Sequence, residues 1–254
     1  MKYPVLFVGA GPGDPELITV KGKKALEQAD LVIFAGSLVP EALLQWTRSR
    51  CRSISSASMD LTEIIQEIET AYRAGKRVVR LHTGDPSLYG AIFEQITALQ
   101  ERLIPAKVIP GVTAAFAAAA AMGIEFTLPE ISQTLILTRM AGRTPVPDAE
   151  NLASLAAHRA SMAIYLSIGM IDDVVQTLTE HYGENANCAV VYRASQPDEK
   201  IVRTRLVDLV EKVKSEKITR QALIIVGRVL DVKPENLVHK SKLYDKNFKH
   251  GFRE

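Results

Sequence analysis

The chain has 254 residues, of which 47% are hydrophobic and 24% charged, a balance typical of a globular protein with a substantial core. The net charge of +2 is too small to indicate a nucleic-acid partner, and neither Cys51 and Cys188 nor the five histidines have the spacing of a metal site. The alanine-rich run over residues 113–124 is too short to span a membrane, and no signal-peptide pattern precedes the first strand. We therefore expect a cytoplasmic protein without a metal, membrane or nucleic-acid partner.

The first predicted strand, Tyr3–Val8, leads into a glycine-rich loop, Gly9–Thr19, with the sequence GAGPGDPELIT. Asp14 followed by proline is typical of a helix start, with the carboxylate as N-cap. The glycines lack the GxGxxG spacing, and Pro12 removes an amide that a pyrophosphate would use. The next predicted strand, Leu31–Ser37, also ends without the acidic residue that binds a ribose. This loop therefore indicates a rigid wall and not a Rossmann-type dinucleotide site.

The most informative stretch is Val78–Tyr89, VVRLHTGDPSLY, where a predicted buried strand breaks at a Gly-Asp-Pro loop and a helix is predicted to restart near Ser87. Open α/β sheets bind their ligands at strand ends of this kind. Gly84 allows a ligand to approach the backbone closely, and the proline stiffens the loop. The residues alone leave two interpretations of Asp85 open, since its carboxylate suits both a ligand contact and a cap on the next helix.

The rest of the first half alternates between predicted helices and strands. Helices are predicted over residues 40–48 and 60–75, the second opening with a capping box. Beyond the Gly-Asp-Pro loop, apolar spacing predicts a helix through Leu99, followed by a strand at Val108. Thr113 is suited to be the N-cap of the alanine-rich helix that follows. This alternation predicts a mostly parallel sheet with helices on both faces.

The second half holds five predicted strands and three predicted helices in mixed order, which favours a sheet with antiparallel pairs. The strands are predicted at 133–139, 161–166, 189–192, 200–204 and 222–226, and the helices at 152–157, 171–182 and 206–214. Between the halves, Gly123–Ser132 is an irregular connection. The predicted domain limits are therefore 1–122 and 123–232, with a polar, basic tail over 233–254.

Four stretches in this order resemble the tetrapyrrole (corrin and porphyrin) methylase family: VGAGPGDPELIT, RLHTGDPSLYG, VIPGVTAAFAAAA, and VVYRASQPDEKIV with ALIIVG. The match extends to about Leu230. FAGSLVP and TLPEISQTLILTR are most similar to the family's precorrin branch, and Thr83, where uroporphyrinogen methylases often have glycine, favours the same branch. The resemblance implies S-adenosyl-L-methionine as cofactor, S-adenosyl-L-homocysteine as product, a tetrapyrrole substrate and a homodimer. It also implies a cofactor cleft between two α/β domains, unlike a Rossmann-type pocket.

The resemblance further implies a set of site residues. Those expected at the cofactor are Pro12, Thr83, Gly84, Asp85, Leu88, Thr113, Ala114, Leu166, Arg193, Ala194 and Ala222. Those expected at the substrate are Asp14, Ser37, Tyr89, Arg139 and Arg143. The two arginines, in or beside the polar loop 140–148, are chosen because guanidinium groups pair with the carboxylates of a tetrapyrrole. No catalytic base is predicted, because methyl transfer from a sulfonium to an electron-rich carbon depends mainly on positioning.

Three alternatives remain open at the level of the sequence. The first is another methylase of the same family, such as a uroporphyrinogen-III or precorrin-3 methyltransferase. The second is a nicotinamide-dependent oxidoreductase, which the glycine spacing and the missing ribose acid oppose. The third is a tetrapyrrole-binding protein without catalytic activity. The sequence also leaves open whether the substrate already contains cobalt.

Overall fold

The computed structural model describes residues 3–233 and the residues 235, 237, 238, 241, 242, 245, 248, 249 and 251. The chain divides into two compact units, one up to Ala117 together with Ala194–Pro197, the other Ala118–Arg193 and the chain from Asp198 on. The domain limits drawn from the sequence stay a prediction. Much of the predicted basic tail, namely residues 234, 236, 239, 240, 243, 244, 246, 247, 250 and 252–254, lies outside the described residues. Within the described chain, no helix combines the length and apolarity needed to cross a membrane.

The first unit is built on a five-stranded sheet in which all neighbouring strands are parallel. Its strands are β1 (Val5–Gly9), β2 (Leu31–Phe34), β3 (Arg52–Ser55), β4 (Val78–His82) and β5 (Ala106–Ile109). Their order across the sheet is β3-β2-β4-β1-β5, so β4 occupies the buried centre with β2 and β1 on either side. The predicted parallel sheet is confirmed.

Four α-helices begin in the first unit: α1 (Val20–Gln28), α2 (Leu61–Arg73), α3 (Ile92–Glu101) and α4 (Ala114–Met122). The predicted capping box is present at the start of α2, where Asp60 accepts from the Glu63 amide and the Glu63 side chain accepts from the Asp60 amide. The helix predicted over residues 40–48 is a shorter 3-10 helix, Glu41–Trp46. The helix predicted to restart near Ser87 is wrong, since α3 begins only at Ile92.

Helices cover both faces of the first sheet, as predicted. Successive residues of a strand face opposite sides, so Phe7 and Val8 of β1 belong to different cores. Val8 packs in a core with Leu26 of α1, and Phe7 packs in a core with Ile68 of α2 and Leu99 of α3. The sheet is thus buried on both sides, which explains the continuous apolar runs of its strands.

The second unit contains a mixed five-stranded sheet, which confirms the prediction of antiparallel pairs. Its strands are β6 (Leu135–Arg139), β7 (Ser161–Tyr165), β8 (Asn187–Tyr192), β9 (Lys200–Arg205) and β10 (Ala222–Val226), and its further helices are α5 (Leu152–Ala156), α6 (Ile171–Tyr182) and α7 (Leu206–Ser215). The order is β6-β7-β10-β8-β9, with only the β6–β7 pair parallel. One core, which includes Ile164, Leu178 and Leu209, joins the three helices to this sheet.

Candidate functional site

The loops that follow the strands of the first sheet all emerge at one edge, because the strands are parallel. The loops after β1, β2, β4 and β5 cover residues 10–14, 35–40, 83–91 and 110–113. They and the start of α4 carry these predicted site residues: Pro12, Asp14, Ser37, Thr83, Gly84, Asp85, Leu88, Tyr89, Thr113 and Ala114. The fold therefore gathers ten predicted site residues at one edge of one sheet, which is where α/β proteins bind ligands. Their contact with a ligand stays a prediction.

Three of these loops meet backbone to backbone at glycines. A Cβ on Gly9 would lie 2.6 Å from Gly111 Cα and 2.6 Å from the Gly84 carbonyl oxygen. Gly11 and Gly84 form an isolated bridge, in which the Gly84 amide donates to the Gly11 carbonyl at 2.8 Å and the Gly11 amide donates back at 3.2 Å. The glycine spacing that fails the Rossmann test thus serves packing between loops, and we call this contact of Gly9, Gly11, Gly84 and Gly111 the glycine junction.

Asp85 ties two loops of this edge together. One carboxylate oxygen accepts from the Gly111 amide at 2.9 Å, and the other accepts from the Ser87 amide at 2.8 Å. The interpretation of Asp85 as a helix cap is wrong, because α3 begins at Ile92, seven residues further along the chain. Both oxygens are engaged by the protein itself, so Asp85 fixes the geometry of the edge whether or not it touches a ligand.

The loop between β4 and α3 has a strained backbone. Tyr89 and Ala91 adopt left-handed conformations with φ of 56° and 47°, and a Cβ on Gly90 would collide with the Pro86 carbonyl group. This tight turn is the reason why the helix cannot restart at Ser87. Tyr89 is 44% exposed at the surface of this loop.

Ser195 and Gln196 were not predicted as site residues, although they contact the β1 loop within the first unit. The Asp14 amide donates to Ser195 Oγ at 3.0 Å, and Gln196 Nε2 donates to the Pro12 carbonyl at 3.4 Å. A Cβ on Gly13 would collide with the Gln196 side chain. The only sequence signal for these residues was their position within the RASQPDE stretch. Ala194, predicted at the cofactor, is buried beside them in the same unit.

The carboxylate of Asp14 is also engaged within the protein. It accepts from the Glu16 amide at 2.8 Å, which confirms the predicted N-cap, although the helix it caps is a single 3-10 turn, Pro15–Leu17. A new N-cap, Thr19, then starts α1. A substrate contact by Asp14 remains a prediction.

In the second unit, four predicted residues share one edge of the sheet. Arg139 ends β6, Leu166 and Arg193 directly follow β7 and β8, and Ala222 begins the antiparallel β10. The register places them together, because Arg139 pairs with the last residue of β7, and Ala222 pairs with the last residue of β8. Arg143 lies on the loop that leaves this edge after β6.

This edge of the second sheet also has an unusual backbone. Leu166, Arg193 and Gln221 are left-handed, with φ of 55°, 47° and 52°, and the Arg193 amide donates to the Gln221 carbonyl at 2.9 Å. Leu166 is 64% exposed. Non-glycine residues in this conformation concentrate at functional sites, since the strain persists only where surrounding structure enforces it. Gln221 is not among the predicted site residues, and no motif in the sequence around it marks it as one.

The arginines predicted to act at this edge have different surroundings. The Arg139 guanidinium donates to the Thr144 carbonyl at 3.0 Å and to the Pro145 carbonyl at 2.6 Å, so it holds the polar loop in place. The Arg193 guanidinium forms an ion pair with Asp198. Arg143 is exposed on the polar loop, whereas Arg139 and Arg193 are half-buried.

A buried histidine lies at the end of β4, immediately before the candidate site. His82 is 4% exposed and stacks on Phe7, with ring centroids 5.8 Å apart. Burial, assisted by the nearby Arg80 cation, lowers the pKa of His82 to about 3. Its Nε2 is a buried side-chain atom that lacks a hydrogen-bond partner in the described part of the chain. His82 is therefore neutral in the folded protein at physiological pH.

This depressed pKa predicts acid sensitivity. In the unfolded chain the histidine has a pKa near 6.5, so below that pH it binds a proton that His82 in the folded chain does not bind. Protonation therefore favours the unfolded state, and His82 lowers the free energy of unfolding as the pH falls from about 6.5 towards 3. Between about pH 7.5 and 5.5, we expect wild type to lose about 1.4 kcal/mol more unfolding free energy than His82→Gln. Urea unfolding at both pH values measures this difference, and equal losses in the two proteins would contradict the assignment.

Known proteins resemble the chain both in sequence and in fold. A model of the family "Tetrapyrrole (Corrin/Porphyrin) Methylases" matches residues 4–210. The cobalt-precorrin-4 C(11)-methyltransferase of Methanocaldococcus jannaschii is 56% identical to the chain over 251 residues, which is 98% of this chain and 96% of that protein. The precorrin-4 C(11)-methyltransferase of Pseudomonas aeruginosa is 50% identical, covering 89% of this chain and 90% of that protein.

Solved structures agree with these sequence relatives. The cobalamin biosynthetic enzyme cobalt precorrin-4 methyltransferase, CbiF, superposes with a TM-score of 0.88 at 44% identity, over 90% of this chain and 96% of that one. The uroporphyrin-III C-methyl transferase of Thermus thermophilus, in complex with S-adenosyl homocysteine, superposes with a TM-score of 0.75 at 27% identity, over 91% of this chain and all of that one.

Proposed function

The chain belongs to the tetrapyrrole (corrin/porphyrin) methylase family, and from that premise we propose that it transfers a methyl group from S-adenosyl-L-methionine to C-11 of precorrin-4 or cobalt-precorrin-4 in cobalamin biosynthesis. One observation carries the choice of substrate. Relatives named for precorrin-4 or cobalt-precorrin-4 are 40–56% identical to the chain, whereas the uroporphyrinogen-III C-methyltransferase of Methanocaldococcus jannaschii is 31% identical. The same branch was favoured by the FAGSLVP and TLPEISQTLILTR stretches.

We propose that the edge of the first sheet binds S-adenosyl-L-methionine. Thr83, Gly84 and Leu88 are half-buried on a stiff, backbone-rich turn, which suits a small ligand held by amides and carbonyls. A Cβ on Gly84 would meet no atom nearer than 3.8 Å, so the turn has room on that side. Binding of S-adenosyl homocysteine by the Thermus thermophilus relative supports this cofactor. The cofactor residues predicted in the second unit, Leu166, Arg193 and Ala222, stay predictions.

The bound sulfonium supplies an electrophilic methyl group. The task of the chain is to hold donor and acceptor at near-attack distance and to keep water out, which requires rigid elements. The glycine junction and the Asp85 tie provide that rigidity at the first edge. The left-handed residues Leu166 and Arg193 indicate a similarly enforced geometry at the second.

Turnover with purified substrates tests the proposal. We expect one labelled methyl group to pass from S-adenosyl-L-methionine to precorrin-4 or cobalt-precorrin-4, with little transfer to uroporphyrinogen III or precorrin-3. Mass spectrometry of the product, with and without cobalt in the substrate, identifies the metal state that the chain accepts. Tetrapyrrole binding without methyl transfer would contradict the proposed activity and favour the alternative of a tetrapyrrole-binding protein without catalytic activity.

The polar loop predicts a separation of substrate and cofactor binding. Arg143→Ala is expected to weaken tetrapyrrole binding by about 1–3 kcal/mol, because a charge-assisted pair with a substrate carboxylate is lost. The affinity for S-adenosyl-L-homocysteine, measured by calorimetry, should remain nearly unchanged. Arg50→Ala is the matched control, since it removes an exposed charge that precedes β3, at the opposite end of the first sheet. Loss of cofactor binding with retained substrate binding would contradict the assignment of this loop.

We propose that the protein acts as a homodimer, as the family resemblance implies. We also propose that it works in the cytoplasm without nucleic-acid or membrane partners, a setting compatible with its two free cysteines, Cys51 and Cys188.

A further inference from the structure

A buried arginine lies at the centre of the first sheet without an acidic partner. Arg80, on β4, is 5% exposed and forms no ion pair among the described residues. Its Nη1 donates to the Ile33 carbonyl at 3.2 Å, and its Nε donates to Gln95 Oε1 at 3.0 Å. Burial lowers the pKa of Arg80 to about 10, so the guanidinium remains charged at neutral pH. Because burying a cation among neutral acceptors is costly, its presence indicates a role beyond packing.

The arginine determines which way the Gln95 amide faces. A guanidinium can only donate, so the oxygen of the Gln95 side chain must point towards Arg80 and its nitrogen away from it. That nitrogen donates to the carbonyl of Ala91 at 3.0 Å. Ala91 is left-handed and is the last residue before α3. A continuous path of hydrogen bonds, which we call the Arg80 relay, thus joins Ile33 of β2 to Arg80, Gln95 and Ala91. It is buried from Ile33 to Gln95 and reaches the surface at the exposed Ala91.

The loop from Thr83 to Ala91 is therefore fixed at two points. Asp85 ties its first part to Gly111 and holds the turn at Ser87. The Arg80 relay fixes its end at Ala91, two residues after the exposed Tyr89. The two anchors divide the loop into a part beside the glycine junction and a part that presents Tyr89.

We propose that Arg80 and Gln95 are positioning residues that act through Ala91 to set the affinity for the tetrapyrrole, separately from the affinity for the cofactor. This inference rests on the proposed function, because it assigns the Tyr89 part of the loop to the tetrapyrrole substrate. The relay touches no predicted ligand contact directly. Its effect is to hold the left-handed turn at Ala91, close to the exposed Tyr89, and a loosened turn must be ordered again when the substrate binds.

Gln95→Glu cuts the relay at one bond. The new carboxylate still accepts from Arg80 and adds a charge pair, but it has no N–H to donate to the Ala91 carbonyl. We expect KM for the tetrapyrrole to rise by about tenfold, the scale of one lost hydrogen bond, while Kd for S-adenosyl-L-homocysteine changes less than about twofold. Gln100→Glu is the matched control, since it makes the same change at an exposed position of the same helix.

Arg80→Lys provides a second variant if the first folds poorly. A lysine keeps the positive charge but cannot donate to Ile33 and Gln95 with the geometry of a guanidinium, so the same rise in KM for the tetrapyrrole is expected. Hydrogen exchange of the amides of Leu88 to Ala91 should become faster in both variants and stay unchanged in Gln100→Glu. Exchange is read without substrate, so it reports on the anchor itself.

Two results would overturn the inference. One is an unchanged KM for the tetrapyrrole in both variants, and the other is an equal loss of tetrapyrrole and cofactor affinity with a lowered Tm, which marks a merely structural role. Failure of the proposed function is distinct, because the wild-type chain itself would then show no transfer to precorrin-4 or cobalt-precorrin-4.

Discussion

Gly111→Ala is expected to disrupt both the stability of the protein and its candidate cofactor site. The new Cβ would lie 2.8 Å from Gly9 Cα and nearer still to the Gly84 carbonyl oxygen. Both obstacles are backbone, so relief requires the loops after β1, β4 and β5 to separate. We expect a loss of at least about 3 kcal/mol in unfolding free energy, the upper range for overpacking. Urea denaturation measures it.

The same substitution should also weaken cofactor binding in the fraction that folds. Separation of the loops breaks the hydrogen bond from the Gly111 amide to Asp85 and moves Thr113, two residues further on. Gly169→Ala is the control, because a Cβ at that position of the second unit meets no atom within 4 Å. A Gly111→Ala protein with wild-type stability and wild-type affinity for S-adenosyl-L-homocysteine would show that the loops are more adaptable than their backbone contacts indicate.

Asp85→Ala should lower stability and cofactor affinity together. The substitution leaves the amides of Ser87 and Gly111 without their acceptor, and each unsatisfied donor costs about 1–3 kcal/mol where water cannot replace the bond. We expect a loss of about 1–3 kcal/mol in cofactor binding, measured by calorimetry with S-adenosyl-L-homocysteine. The cause is the release of the loop, whether or not the carboxylate itself touches the ligand.

Asp60→Ala is the control for Asp85→Ala, because it is expected to lower stability without affecting cofactor binding. Asp60 also accepts from a backbone amide, in the capping box of α2, and its loss is expected to cost about 1 kcal/mol of stability. Asp60 lies between β3, which is an outer strand of the first sheet, and α2. It belongs to none of the loops that meet at the glycine junction. If Asp85→Ala reduced stability like Asp60→Ala but left cofactor affinity intact, Asp85 would be a structural tie alone.

Several parts of this protein were determined by local sequence. A capping box and apolar periodicity fixed α2, and apolar periodicity fixed α6, because the hydrogen bonds and buried faces of a helix involve residues three and four apart. The alternation of strands and helices predicted the parallel first sheet, and parallel strands by themselves bring the loops with Pro12, Gly84 and Thr113 to one edge. The stretches that resemble a known family supplied the predicted site residues at both edges.

Tertiary structure decided what these residues touch. Asp85 reaches Gly111, Gln196 reaches Pro12, and Arg80 reaches Ile33, contacts between segments 26, 184 and 47 residues apart, for which the sequence carries no local signal. The left-handed turn at Tyr89 and Ala91 likewise overrides the prediction of a helix at Ser87. Such conformations and partners depend on which strands become neighbours, and strand neighbours are chosen by the packing of the whole sheet.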